Sequence, residues 1–336
     1  NIKEEFQINE SKIKSSIDDI IDMGFKNERL EEDKIKEVED KDNKILNNNQ
    51  NVSNNVLGKE VTSDCNIRKS VALEEALNKL DSLIGLNNVK TEVKRIVQLI
   101  KYENNRANIL GIQKNVNQGY HFVFLGNPGT GKTTVARLIG DIFYYLGILE
   151  KGHLIEVDRS TIVGRFIGET AKLTKKAVEN AMGGILFIDE AYSLCEDRDG
   201  GYGDEAISTL IREMENHKDE LVVIIAGYPD EMEQLINKNP GFKDRIAFKL
   251  DFPDYNSEEL MEILKKFCAG ENYRLEENCI GYIEEKFQFI VEHKDVNFGN
   301  GRFVRKLYER AKLAQAKRIM GEEFDDKNML VINRSD

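Results

Sequence analysis

The sequence predicts an α/β fold, a mostly parallel sheet covered by helices on both faces, followed by a smaller all-helical region. Three observations carry this. Apolar, β-rich runs alternate with helical stretches between residues 120 and 252. A glycine-rich turn, GNPGTGKTT, sits between the first of those runs and a helical segment. After DFPDY (251–255) the strand-like runs stop. Strands separated by helices have the crossover length that parallel pairing requires, and both faces of such a sheet must then be covered.

Residues 1–70 are dominated by Lys, Glu, Asp and Asn and culminate in NKILNNNQNVSNNV. So little apolar side chain cannot offset the entropy of ordering, so this segment is expected to be a disordered tether. Within it Ile13, Ile17, Ile20 and Ile21 share one helical face, as a partner-docking helix would need and as a transient, unpartnered helix would also show. From Val71 a helical pattern runs through VALEEALNKLDSLIGLNNVKTEVKRIVQLI. The strand candidates follow as YHFVFL (120–125), LIEVD (154–158), GILFID (184–189), LVVIIAGY (221–228) and IAFKLDF (246–252). Asn256 with Glu259 has the spacing of a capping box, which opens a helical region reaching residue 320. The expected domains are the extension (1–70), the α/β domain (71–253) and the helical domain with its tail (254–336).

Composition narrows the class. No run approaches the roughly 20 apolar residues that span a bilayer. The opening NIKEEFQINE lacks the basic start and apolar segment of a secretory signal, so the expectation is a soluble, cytoplasmic chain without a membrane partner. The formal charge of −12 argues against a protein whose main business is coating nucleic acid, since phosphate neutralisation needs clustered Lys and Arg. Cys65, Cys195, Cys268 and Cys279 form no CxxC pair, and reduced structural thiols are expected.

Gly126, Asn127, Pro128, Gly129, Thr130, Gly131, Lys132 and Thr133 fit GxxxxGK[ST] in the strand-to-helix context that pattern requires. Glycines let backbone N–H groups close around a phosphate, Lys132 reaches the terminal phosphates, Thr133 offers a hydroxyl to Mg²⁺, and the helix start adds partial positive charge. Thr134 adjoins them. GILFID is expected to lie beside the phosphate strand, so that Asp189 and Glu190 emerge where ligands bind in open α/β sheets. Asp189 would then hold Mg²⁺ through water, and Glu190 would orient and deprotonate the water that attacks the γ-phosphate. A guanine reader of the NKxD type is lacking, because Asn237-Lys238-Asn239-Pro240 has no acid, and ATP is favoured.

With the phosphate loop, the FIDEA segment and the helical C-terminal region together, residues 71–320 resemble the AAA+ ATPases. LFIDEAYSL, AGYPDEM (226–232), NPGFKDRI (239–246) and DFPDY narrow the resemblance to the branch of stage V sporulation protein K and CbbX, also called CfxQ-like. The resemblance implies a three-layer AAA+ P-loop sheet domain with a small helical lid, and ATP hydrolysis with Mg²⁺ in a homo-oligomeric ring, a hexamer. It places Ile84 and Gly85 against adenine, Arg245 as a finger completing a neighbour's site, and Arg302 as a second sensor reaching the γ-phosphate from the lid. Phe166, within VGRFIGE, matches the aromatic of a pore loop that grips a polypeptide; packing of Phe166 in the core is the alternative. Lys243 stands where relatives often carry a second Arg, and Tyr228 where many carry Asn. The basic run Arg305, Lys306, Arg310 and Lys312 reads as a solvated face rather than a nucleic-acid site. The implied activity is chaperone-like remodelling of a protein partner, in sporulation. The alternatives are rubisco reactivation, action on DNA, and a scaffold that binds ATP without hydrolysing it.

Overall fold

In the computed structural model the residues described are 58–111, 119–166, 168–195, 201–320 and 330–336. The tether expected over 1–70, with Ile13, Ile17, Ile20 and Ile21, lies for the most part outside them. The five expected strands form one sheet from β1 (His121–Gly126), β2 (Leu154–Val157), β3 (Ile185–Ile188), β4 (Val222–Gly227) and β5 (Ile246–Phe252). Their order is β2-β3-β4-β1-β5, and every pair is parallel.

This order corrects one expectation. GILFID does not lie beside the phosphate strand: β4 intervenes, with Ile224 in register with Phe122 of β1 on one side and Phe187 of β3 on the other. Each of these strands is buried at every position. Neither run therefore carries a mark of which stands nearer β1, and the helical crossovers decide it.

Side chains alternate between the two faces of the sheet, as the period of a strand dictates. Phe122, Phe124, Phe187, Ile224 and Phe252 join one apolar cluster. That face is covered by α1 (Gly58–Asp81), α2 (Asn87–Leu110) and α3 (Lys132–Tyr145). Val123, Leu125, Leu186, Ile188, Val223 and Ile225 join the other cluster. Ile162 of the short α4 (Arg159–Ile162), then α5 (Thr170–Ala181), α6 (Tyr202–Asn216), α7 (Pro229–Lys238) and α8 (Pro240–Arg245), cover that side. Helix α2 shows why: Val89, Val93, Ile96, Val97 and Ile100 are its buried residues, spaced to form one stripe. Helix α1 begins at Gly58, upstream of Val71 where the apolar pattern starts.

The lid consists of α9 (Ser257–Gly270), α10 (Glu277–Glu292) and α11 (Asn300–Met320). The capping box forms: the Glu259 N–H donates to Asn256 Oδ1 at 2.8 Å and the Asn256 N–H to Glu259 Oε2 at 2.9 Å. The strands do not stop entirely, because β6 (Arg274–Leu275) pairs in parallel with β7 (Val331–Ile332). Two-residue strands are too short to leave a periodic trace. No helix among the described residues is long and apolar enough to cross a membrane.

His121 opens β1 and is 1% exposed. The Val223 N–H donates to its Nδ1 at 3.0 Å, so Nδ1 is bare and Nε2–H is the donor to the Met214 carbonyl at 3.3 Å. Burial, opposed by the Met214 hydrogen bond, lowers its pKa from 6.5 to about 4. Between those values the unfolded ring takes up a proton that the folded ring refuses, so stability falls as pH drops through the window. From about pH 7.5 to about pH 5 this residue alone should cost roughly 2 kcal/mol. His121→Asn, which does not titrate, should flatten that part of the unfolding free energy measured by urea denaturation. Parallel wild-type and variant profiles would show that His121 is not the source.

Candidate functional site

The C-terminal ends of β1, β3 and β4 reach the same edge of the sheet, where a cavity of about 560 Å³ opens. That is the size range of small-molecule sites. Its floor is the loop after β1. Gly126 has φ 155°, and a Cβ there would collide with the Phe252 carbonyl. Gly129 has φ 74°, and a Cβ there would collide with the Gly299 carbonyl and lie 2.7 Å from the Arg302 nitrogen. Only glycine satisfies both the dihedrals and the space. Helix α3 starts at Lys132, so its first-turn N–H groups lack intrahelical partners and add positive potential at the cavity.

The Lys132 side chain is buried and its ammonium donates to the carbonyls of Gly126 at 2.7 Å and Asn127 at 2.9 Å. Burial pushes its pKa below the ordinary lysine value, the Asp189 carboxylate opposes that shift, and Arg302 adds to it. Pro128, Gly131, Thr133 and Thr134 also line the cavity. Thr130 does not: it is buried, and its hydroxyl donates to the Asn127 carbonyl at 2.8 Å, which shapes the loop. Asn127 turns its amide away from the cavity, donating to Asp254 Oδ1 at 2.9 Å and the Val296 carbonyl at 2.8 Å.

Asp189 and Glu190 follow β3 and line the cavity with Lys132. Because β4 intervenes, they stand two strand spacings from the phosphate loop, about 9–10 Å across the sheet. Glu190 has φ 48°, and its N–H donates to Asp189 Oδ1 at 3.1 Å. A non-glycine residue held there stores roughly 1–3 kcal/mol, as often found at functional sites. Between the two walls Tyr228 follows β4 at the start of α7, its ring 5.7 Å from that of Tyr192. Burial and the Glu190 charge raise the Tyr228 pKa, so the phenol keeps its proton.

The remaining walls come from the α1–α2 turn and the lid. Ile84 lines the cavity, and Leu83, Leu86, Ile263 and Phe267 extend its apolar surface. Gly85, with φ 61°, does not line it; a Cβ there would run into the Glu259 carboxylate, so its place is set by the capped start of α9. Arg302 and Arg305 of α11 and Lys266 of α9 line the cavity as well. Arg305 keeps the exposed position expected of it, as do Lys306 and Arg310, while its guanidinium lies 5.2 Å from the Phe267 ring centroid at the cavity. Lys312, half-buried, pairs with the exposed Glu271 beside the Tyr308 ring. The signal for Arg305 was its i+3 spacing from Arg302, which puts both on one side of the helix. Lys132, Lys266, Arg302 and Arg305 outnumber Asp189 and Glu190, the charge balance that a polyphosphate with a divalent cation would neutralise.

Two expected site residues lie elsewhere on the molecule. Arg245, ending α8, does not line the cavity; it pairs with Glu215 Oε2 at 3.1 Å and donates to the Gly241 carbonyl at 3.2 Å. Phe166 is 72% exposed, which excludes the reading that it packs in the core. Its loop is pinned by Glu169, whose Oε2 accepts the N–H of Arg165 at 3.0 Å and of Phe166 at 3.3 Å.

Comparison with known proteins agrees with this architecture. Residues 122–254 match the profile of the ATPase family associated with various cellular activities (AAA), and residues 256–336 that of the AAA lid domain. Stage V sporulation protein K of Bacillus subtilis (strain 168) is 39% identical over 274 residues, covering 81% of this chain and 84% of that protein. The chloroplastic ribulose bisphosphate carboxylase/oxygenase activase of Cyanidioschyzon merolae is 42% identical over 277 residues, covering 80% and 92%. Protein CbbX of Cereibacter sphaeroides is 42% identical over 248 residues, covering 73% and 79%. Among solved structures, the FIGL-1 AAA domain in complex with ADP superposes with a TM-score of 0.51 over 75% of this chain and 79% of that one, at 19% identity, a likeness of fold alone. An AAA domain followed by an AAA lid, with a relative 39% identical over most of both chains, shows that the chain belongs to the AAA family of ATPases.

Proposed function

We propose that this protein hydrolyses ATP with Mg²⁺ at the cavity and, as a homo-oligomeric ring, converts the hydrolysis into mechanical remodelling of a protein partner. The observation that carries the proposal is that Lys132, Asp189, Glu190 and Arg302, drawn from the phosphate loop, the end of β3 and the lid, line a single cavity. The apolar wall around Ile84 and Phe267 suits a purine, and the α3 start with Lys132 suits the phosphates. Thr133 and Asp189 are the residues that would hold Mg²⁺, which when bound supplies charge neutralisation at the phosphate oxygens. Glu190 takes the proton of the attacking water as its oxygen bonds to the γ-phosphorus, and the bond from that phosphorus to the bridging oxygen breaks to release ADP. Lys132 and Arg302 balance the charge on the transferred group. The α/β ATPase domain is assigned to 71–253 and the lid to 254–336, hinged near Pro253.

Arg245 supports the ring. It lies away from its own cavity on a short helix, so as a finger it would serve a neighbour's site. The exposed, glycine-flanked Phe166 supports a grip on polypeptide. The Asn- and Lys-rich extension favours a cytoplasmic role in a spore-forming bacterium, alongside the similarity to stage V sporulation protein K. Rubisco reactivation is the second reading, favoured by the similarity to the chloroplastic activase and to CbbX.

Glu190→Gln keeps the shape of the side chain and removes the base. Steady-state phosphate release should fall by about 10²–10⁴, with ATP binding and assembly retained; normal turnover in the variant would refute the base assignment. Arg245→Ala and Lys132→Ala subunits should each be inactive alone and regain ATPase activity when mixed, because the intact site of one is completed by the finger of the other. A mixture as dead as its components would exclude a finger acting across the interface, an effect worth about 10³–10⁵ where such fingers operate.

A further inference from the structure

The outer side of the phosphate loop is bonded to the lid at several points. The Gly301 N–H donates to the Gly129 carbonyl at 3.1 Å, and the Tyr255 hydroxyl donates to the Thr130 carbonyl at 3.1 Å. At the centre is Asp254, in the short junction between β5 and α9. Its Oδ1 accepts two amide donors, Asn127 Nδ2 of the phosphate loop at 2.9 Å and Asn300 Nδ2 of α11 at 2.7 Å. Its Oδ2 faces Lys294 Nζ at 2.7 Å. Asn300 is fully buried, has φ 45°, and uses its own Oδ1 to accept the Tyr255 N–H at 2.9 Å. Burial alone would raise the Asp254 carboxyl, but hydrogen bonds from Lys294, Asn300 and Asn127 hold it below its ordinary value.

Both oxygens of the Asp254 carboxylate face donors, and that explains the residue type. A carboxylate can accept on both oxygens. An amide of the same shape would turn an NH₂ group towards either the two asparagines or Lys294, whichever way it flipped, leaving donor against donor. Asn300 opens the first turn of α11, the turn that carries Arg302 and leads to Arg305, both of which line the cavity. A bond fixed at Asn300 therefore fixes where that turn starts relative to the loop.

We propose that Asp254 is a positioning residue that bridges Asn127 of the phosphate loop to Asn300 of the lid, and thereby holds Arg302 in the nucleotide cavity. Resting on the ATP reading above, this makes the junction a coupling element: closure of the lid and the conformation of the loop are read through one carboxylate oxygen. Asp254 acts through Arg302, so its effect on nucleotide binding must vanish when Arg302 is gone.

The test is a double-mutant cycle on the full chain, titrating an ATP analogue with a methylanthraniloyl fluorophore in the presence of Mg²⁺, with a melting curve for each variant. Asp254→Asn should weaken binding about tenfold, the worth of one hydrogen bond to a charged group. In an Arg302→Ala background the same substitution should change Kd by less than about twofold, because residues acting as a unit are not additive. The same fold-change in both backgrounds, or none in either, overturns the proposal. If the melting curve shows Asp254→Asn unfolded, Asn127→Ala, which removes the loop-side donor to Asp254 together with its bond to the Val296 carbonyl, takes its place in the same cycle and must show the same non-additivity. A parent chain that binds no analogue overturns the ATP reading, and this proposal with it; a parent that binds while the cycle is additive overturns the proposal alone.

Discussion

The Lys132 ammonium, buried at the end of β1, donates to two carbonyls of its own loop, and burial pushes its pKa down. Enclosing a charge in this way is unfavourable unless opposite charge faces it. The facing groups are Asp189 and Glu190, whose carboxylates lie across the same cavity. The rest of the site follows from keeping that cation in place. Glycines at positions 126 and 129 let the loop fold back on itself, α3 starts at the lysine, and β4 holds the carboxylates far enough away for a ligand to enter between. Had β3 lain beside β1, the two charges would stand one strand spacing apart, about 4.8 Å, which favours a direct ion pair over an anion site.

The lid closes the second half of the arrangement. Lys266, Arg302 and Arg305 come from helices that follow the sheet in the chain, yet they line the same cavity as the loop. Beside them lies a half-buried junction in which Asp254 accepts from Asn127, Asn300 and Lys294 and in which Asn300 holds a left-handed backbone that most side chains resist. Such junctions are stable when every group is satisfied and fragile when one is not.

Arg245 and Phe166 stand outside this economy of contacts. Neither touches the cavity of its own chain, Arg245 being parked on Glu215 and Phe166 exposed on a loop pinned by Glu169. Their chemistry, a planar cation and a large apolar ring, has value only where another surface meets them. That is why a ring and a polypeptide client enter the proposed function from these two residues.

The strands and most helices were legible because burial on both faces writes a continuous apolar run and burial on one writes a helical stripe, as in β4 and α2. The tight turn between β1 and α3 was legible because left-handed backbone demands glycine. Asp189 and Glu190 were legible because charge at the end of a buried strand must emerge at the sheet edge. The strand order, the place of Arg305 at the cavity and the Asp254–Asn300 junction were not. These depend on which residues distant in sequence come to lie within a few ångströms of one another. Periodicity and spacing record only what neighbours along the chain require, whereas those contacts were decided by the packing of whole helices over the sheet and of the lid against the loop.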